Sequence, residues 1–129
     1  MTADKGNAAC LWDMLDAARA VEEFIAGRTF LDYTTDRMLR GAVERHLEII
    51  GEAANNVSRE FRDRHPELPW SKIIAQRHVL AHEYGEIKHE RIWSVATVHL
   101  PQLIAWLTPW VPPAPGPPPT EAGGGNEGA

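Results

Sequence analysis

Apolar residues recur at three- and four-residue spacing along most of this chain, a period that predicts helices rather than strands. Leu11, Met14, Leu15, Ala18, Val21, Phe24 and Ile25 predict a first helix over 8–26, with Gly27 as its stop. A linker holding Phe30, Tyr33, Thr34 and Thr35 follows. A long second helix is expected over 36–63, with Thr35 as its N-cap and Asp36 in its first turn. Its stripe is Leu39, Val43, Leu47, Ile50, Ala54, Val57 and Phe61, at near-heptad spacing that suits antiparallel bundle packing. Gly41 and Gly51 interrupt it. Each costs about 1 kcal/mol relative to Ala inside a helix, so both are expected to mark close approach by another helix. Pro66 and Pro69 frame a loop, and a third helix is expected over 70–83, with Trp70, Ile73, Ile74, Leu80 and Ala81 inward and Gly85 closing it. A fourth begins near Lys88 and carries Ile92, Trp93, Val95, Ala96 and Leu100. Pro101 lacks an amide donor, so this helix should kink or restart before Leu103, Ile104, Trp106 and Leu107 continue its buried face.

Composition sharpens this picture in two places. Breakers are scarce in the body, but Pro and Gly supply 11 of the last 18 residues. Such a segment cannot bury enough apolar area to offset its ordering entropy. The expected organisation is a folded domain over 8–110 and a disordered tail over 111–129. The expected fold class is all-α, an antiparallel bundle of four to five helices. Five Trp in so small a body, with a helix notched by two glycines, suggest burial in a homodimer. A single Cys excludes an intrachain disulfide. The apolar runs are too short to cross a bilayer and the N-terminus lacks a signal-peptide pattern, so a cytoplasmic protein with no membrane contact is expected.

Charge bears on the partner. A net charge of −5 argues against a general nucleic-acid coat, which needs basic surface. The bases are not evenly spread. Arg37, Arg40, Arg45, Arg59, Arg62, Arg64, Lys72 and Arg77 fall in 37–82, together with His46, His65, His78 and His82. An RNA partner would therefore meet a local patch. The run Arg59, Arg62, Arg64, His65 reads first as a solvated helix end and second as an RNA track.

The stretch richest in chemistry runs from Gln76 to Gly85. On a regular helix Arg77 and Tyr84 share a face, and His78 and His82 share another. Arg77 and His82 point about 140° apart. A compact Arg/His site would need a bend or a second copy across a two-fold axis. Arg, His and Tyr are sufficient for RNA cleavage with neither metal nor cofactor. A histidine takes the proton of a ribose 2′-hydroxyl or gives one to the leaving 5′-oxygen. An arginine fork holds the phosphate and its developing charge. The plain alternatives are a surface ion pair for Arg77, ordinary half-buried histidines, and a packing role for Tyr84. His82-Glu83 lacks a second His at zincin spacing, so no metal site is expected.

The landmarks occur in a recognisable order: Ala42-Val43-Glu44-Arg45-His46-Leu47-Glu48-Ile49-Ile50-Gly51-Glu52-Ala53, Pro66-Glu67-Leu68-Pro69-Trp70, Arg-x4-His-x-Tyr over 77–84, Glu90-Arg91-Ile92-Trp93 and Leu100-Pro101-Gln102-Leu103. From Leu11 to Leu107 the chain resembles the HepT-like proteins of the HEPN superfamily. The resemblance implies a dimeric all-α bundle whose two motifs face each other across the interface. It implies a ribonuclease toxin of a toxin–antitoxin pair, with Arg77 and His82 catalytic and a minimal nucleotidyltransferase antitoxin as partner. That antitoxin would transfer AMP from ATP to the motif tyrosine, here Tyr84. His78 stands where many relatives have Asn, and is expected as a supporting acid, base or phosphate-orienting group. The alternatives are a non-catalytic nucleotide- or RNA-binding module serving a nucleotidyltransferase, and a purely structural dimeric bundle.

Overall fold

A computed structural model describes residues 5–112, and every regular element among the described residues is helical. In order they are α1 (Lys5–Ile25), α2 (Phe30–Thr35), α3 (Arg37–Asn56), α4 (Arg59–Arg64), α5 (Trp70–His82), α6 (Gly85–Ser94) and α7 (Leu100–Leu107). A π-helical turn, Val95–His99, joins α6 to α7, and a 3-10 turn, Thr108–Trp110, follows α7. The long members α1, α3, α5 and the α6–α7 rod form the bundle. α3 packs along α1 on one side and α5 on another, and α7 closes on α1. Beyond residue 112 the expected Pro/Gly-rich tail lies outside the described residues.

The core follows the apolar stripes. Leu11, Met14 and Val21 of α1 meet Val43, Leu47 and Ala54 of α3 and Leu103 and Leu107 of α7, all buried. Every residue of the stripe from Leu39 to Phe61 is buried. Tyr33 is fully buried, with its ring edge-on to His89 at 5.8 Å and tilted against Trp93 at 5.6 Å. Burial, with Glu44 nearby, pushes its hydroxyl pKa up against the opposing pull of Arg40.

Four local expectations are corrected. The helix expected over 36–63 is two helices, α3 and α4, broken at Val57 and Ser58. Ser58 is the N-cap of α4, its Oγ accepting from the Phe61 amide at 3.1 Å. Asn7 holds the break from α1: its Oδ1 accepts from the Ser58 amide at 2.9 Å and its Nδ2 donates to Ser58 Oγ at 3.0 Å. The linker after Gly27 contains α2, started by a capping box in which Thr29 and Asp32 satisfy each other's amides. Asp36, not Thr35, caps α3, accepting from the Leu39 amide at 3.1 Å. That bond, the largest cause, and Arg28 lower its carboxyl pKa. Gly85 opens α6 rather than closing α5. Its φ of +66° reverses the chain directly after Tyr84, a conformation that costs glycine little.

The rod does restart near Pro101, and the structure shows how. The Leu100 amide donates to the Val95 carbonyl five residues back, a π-type bond. The widened turn precedes Pro101 in the first turn of α7, where its missing amide is tolerated.

Asn7 is 5 % exposed and bridges α1 to the α3–α4 break. Asn7→Ala removes both bonds and is expected to cost about 1–3 kcal/mol of stability. Urea denaturation reads this as a lower midpoint at unchanged slope. An unchanged midpoint would mean that the break is held by α4 alone.

Candidate active site

α5 positions the motif. It runs as a regular helix to His82, takes Glu83 as its C-cap and hands over through extended Tyr84 to α6. Two ion pairs tie down this corner: Glu83 with Arg91 at 3.4 Å, and Glu44 of α3 with Lys88 at 3.3 Å. The second pair is half-buried on both sides and is screened less than a surface pair.

Arg77 leaves α5 where α3 carries Gly51. A Cβ built on Gly51 would lie 3.0 Å from Arg77 Cγ and 3.4 Å from the Ile73 carbonyl oxygen. Gly51 is thus the close-approach position the sequence suggests, and its missing side chain seats the Arg77 stem. Gly41 is not one: it is exposed, and nothing lies within 4 Å of a Cβ built there. The Arg77 residue stays exposed and has no ion pair or hydrogen bond among the described residues.

His78 and His82 sit one turn apart and their rings stack, centroids 4.2 Å apart and planes 22° from parallel. His82 Nδ1 meets the His78 carbonyl oxygen at 3.1 Å. A carbonyl only accepts, so this bond puts the proton on Nδ1 and leaves the Nε2 lone pair unbonded. An exposed imidazole fixed in that tautomer is set up to remove a proton at Nε2. Tyr84 is 77 % exposed and makes no side-chain capping bond, so its hydroxyl is open to solvent.

The structure gathers all four residues at one end of α5 but does not join Arg77 to His82. On this regular helix they lie about 140° apart, and Tyr84, extended beyond the end of α5, does not share the helical face with Arg77 that the spacing suggests. Two grooves lie elsewhere. One, of about 370 Å³ between α3, α5 and the α6–α7 rod, has Lys72, Gln76, Arg91 and His99 over an apolar floor. The other, of about 710 Å³, lies at the opposite end of α5. Neither is lined by Arg77, His78, His82 or Tyr84. The inward set expected for α5 is only partly inward: Trp70 is buried, Ile73, Ile74 and Leu80 are half-buried, and Ala81 is exposed. Sequence reasoning expected a close approach at Gly51 but not that Arg77 fills it, because nothing local names the helix that fills a glycine notch. Among the described residues no three His, Cys, Asp or Glu side chains cluster to hold a metal ion, and no helix is long and apolar enough to cross a membrane.

Bundle and motif together define an all-α protein of HEPN type with Arg-x4-His-x-Tyr at the end of its third long helix. More narrowly, the chain belongs to the HepT-like ribonuclease family, since residues 14–108 match the family model described as "Ribonuclease HepT-like". It is 34 % identical over 95 residues to a "Putative RNase" of Methanocaldococcus jannaschii, covering 74 % of this chain and 87 % of that one. It is 40 % identical over 81 residues to a "Putative RNase" of Caldanaerobacter subterraneus subsp. tengcongensis, covering 63 % and 72 %. It is 36 % identical over 93 residues to the "Probable ribonuclease HepT" of Thermococcus cleftensis, covering 72 % and 84 %. No solved structure matches the chain.

Proposed function

We propose that this protein is a metal-independent endoribonuclease that acts as the toxin of a toxin–antitoxin pair. The observation that carries the reading is the His82 imidazole, exposed at the motif end of α5 with Nδ1 bonded to a carbonyl and Nε2 unbonded. Membership of the HepT-like family supports RNA as substrate. In the proposed reaction Nε2 of His82 takes the proton of a ribose 2′-hydroxyl. The 2′-oxygen attacks the adjacent phosphorus, the new 2′-O–P bond forms, and the P–5′-O bond breaks. A protonated histidine gives the 5′-oxygen its proton, and Arg77 holds the phosphate as charge builds on its oxygens. His78 stacks on His82 and supports its placement.

A second copy completes the site. In one chain Arg77 and His82 diverge and sit outside both grooves, so a homodimer with the two motifs facing across the interface supplies a cleft. The test is cleavage of a defined RNA in EDTA, beside the same oligonucleotide carrying 2′-O-methyl groups. The unmodified RNA is expected to be cut to 2′,3′-cyclic phosphate ends and the methylated one to stay intact. Cleavage of both would remove the 2′-hydroxyl from the mechanism. If neither is cut and Tyr84 is unmodified, a non-catalytic nucleotide- or RNA-binding module becomes the better reading.

Neutralisation follows from the same corner. A minimal nucleotidyltransferase antitoxin would bring ATP to Tyr84. The phenolic oxygen attacks the α-phosphorus, the O–P bond forms, and pyrophosphate leaves. The adenylate adds bulk and negative charge at the motif end of α5, which opposes an RNA phosphate there. Incubation with such a partner and ATP is expected to add AMP to Tyr84 and to leave Tyr84→Phe unmodified, read by peptide mass spectrometry. An adenylate on another residue would move the regulatory site.

A further inference from the structure

The second groove, at the N-terminal end of α5, has a composition that the cleavage motif does not use. Arg59, Arg62 and Asp63 of α4, Asn55 of α3, and Trp70 and Ser71 of α5 contribute to its lining. Neither arginine has an ion pair among the described residues. The nearby acids are engaged elsewhere, Glu60 with Arg64 at 3.8 Å and Glu67 with His65 at 3.4 Å. Asp63 offsets one of the two positive charges. The Arg62 Nε is buried and has no acceptor. α5 starts here under Pro69 without a side-chain cap. The Trp70 and Ile73 amides find carbonyls, while the Ser71 amide has no acceptor among the described residues. Two guanidinium groups without ion pairs and an unbonded amide at a 13-residue helix's N-terminus form a set suited to a phosphate. The exposed Pro66 and Pro69 beside them give an apolar wall against which a ribose can lie.

We propose that this groove is a second phosphate-binding subsite, which holds the RNA backbone away from the scissile bond. The inference rests on the ribonuclease reading above. α5 itself sets the geometry: from its first residue to His82 is roughly 18 Å of helix, so the subsite and the motif grip one strand several nucleotides apart. RNA fits better than an acidic protein because the groove pairs basic and polar lining with an apolar wall. A carboxylate-rich surface would leave that wall unused.

The test is binding of a single-stranded, fully 2′-O-methylated RNA, which this chemistry cannot cut, across a salt series. Arg59→Ala/Arg62→Ala is expected to bind about 10-fold or more weakly. Its log K against log[salt] slope should flatten by about 1.4, the value for two lost contacts on single-stranded nucleic acid. Arg59→Glu, at an exposed position, repeats the measurement without disturbing the buried Arg62 Nε. Its affinity is expected to fall further than that of Arg59→Ala. Equal affinity and slope in wild type and these variants would overturn the subsite. Binding of a poly-glutamate peptide through the same arginines, with RNA affinity unaffected, would overturn it too and make the groove a protein-docking surface. If the wild type, with Tyr84 unmodified, binds the methylated RNA through these arginines yet leaves unmodified RNA intact, the ribonuclease reading fails and the subsite stands. If the wild type cuts RNA and the variants bind it undiminished, the subsite fails and the ribonuclease reading stands.

Discussion

His82→Ala is expected to slow RNA cleavage by about 10²–10⁴-fold while leaving the bundle folded. The loss corresponds to about 3–5.5 kcal/mol of transition-state stabilisation. The fold has little at stake, because His82 is exposed at the last turn of α5 and its side chain bonds only the His78 carbonyl. Surface changes of that kind stay within about 0.5 kcal/mol of stability. The chemistry has much at stake. With Nδ1 committed to the carbonyl, Nε2 is the nitrogen left to move a proton. His82→Gln sharpens the test, since its amide can keep a hydrogen bond but cannot accept the 2′-hydroxyl proton. It is expected to fall as far as the Ala variant. His78→Ala removes the stacked ring but not the backbone carbonyl that sets the tautomer, so its loss should be smaller. The measurement is single-turnover cleavage of a labelled RNA in EDTA, with circular dichroism as the control on folding. Wild-type cleavage by His82→Ala would take the proton transfer away from this residue.

The same reasoning shows why some of this molecule is legible in its sequence and some is not. The stripe from Leu39 to Phe61 is legible because a 3.6-residue period repeated over many turns has one good solution, and all seven positions are buried. The break inside it is not, because Val57 and Phe61 keep the period across the gap. What breaks the helix is Ser58 held by Asn7, 51 residues earlier. A capping serine in mid-stripe was the available signal. Pro101 announces a disturbance, but the turn that absorbs it, Val95–His99, precedes the proline. The motif's spacing correctly separates Arg77 from His82. Neither spacing nor composition shows that Arg77 crosses α3 at a glycine, since that is a tertiary contact between helices 26 positions apart in the chain.

Gly51→Ala is expected to cut cleavage by up to ~10²-fold with little change in stability. Two effects oppose each other in the fold. Alanine favours a helix interior over glycine by about 1 kcal/mol. Against that, the new methyl would lie 3.0 Å from Arg77 Cγ and 3.4 Å from the Ile73 carbonyl oxygen. The carbonyl belongs to the α5 backbone and moves only with the helix. The arginine stem is flexible and exposed, so it gives way first, and the stability terms nearly cancel. Catalysis does not share the cancellation, because displacing a phosphate-holding group by about 1 Å can cost ~10²-fold in rate. The loss should fall mainly on kcat, as Arg77 is assigned to charge that develops in the transition state. Gly41→Ala provides the comparison on the same helix. A Cβ there meets nothing within 4 Å, so only the propensity gain remains, and it should stabilise by up to about 1 kcal/mol with cleavage unchanged. Equal cleavage by the two Ala variants would show that the glycine at 51 does not set where Arg77 sits.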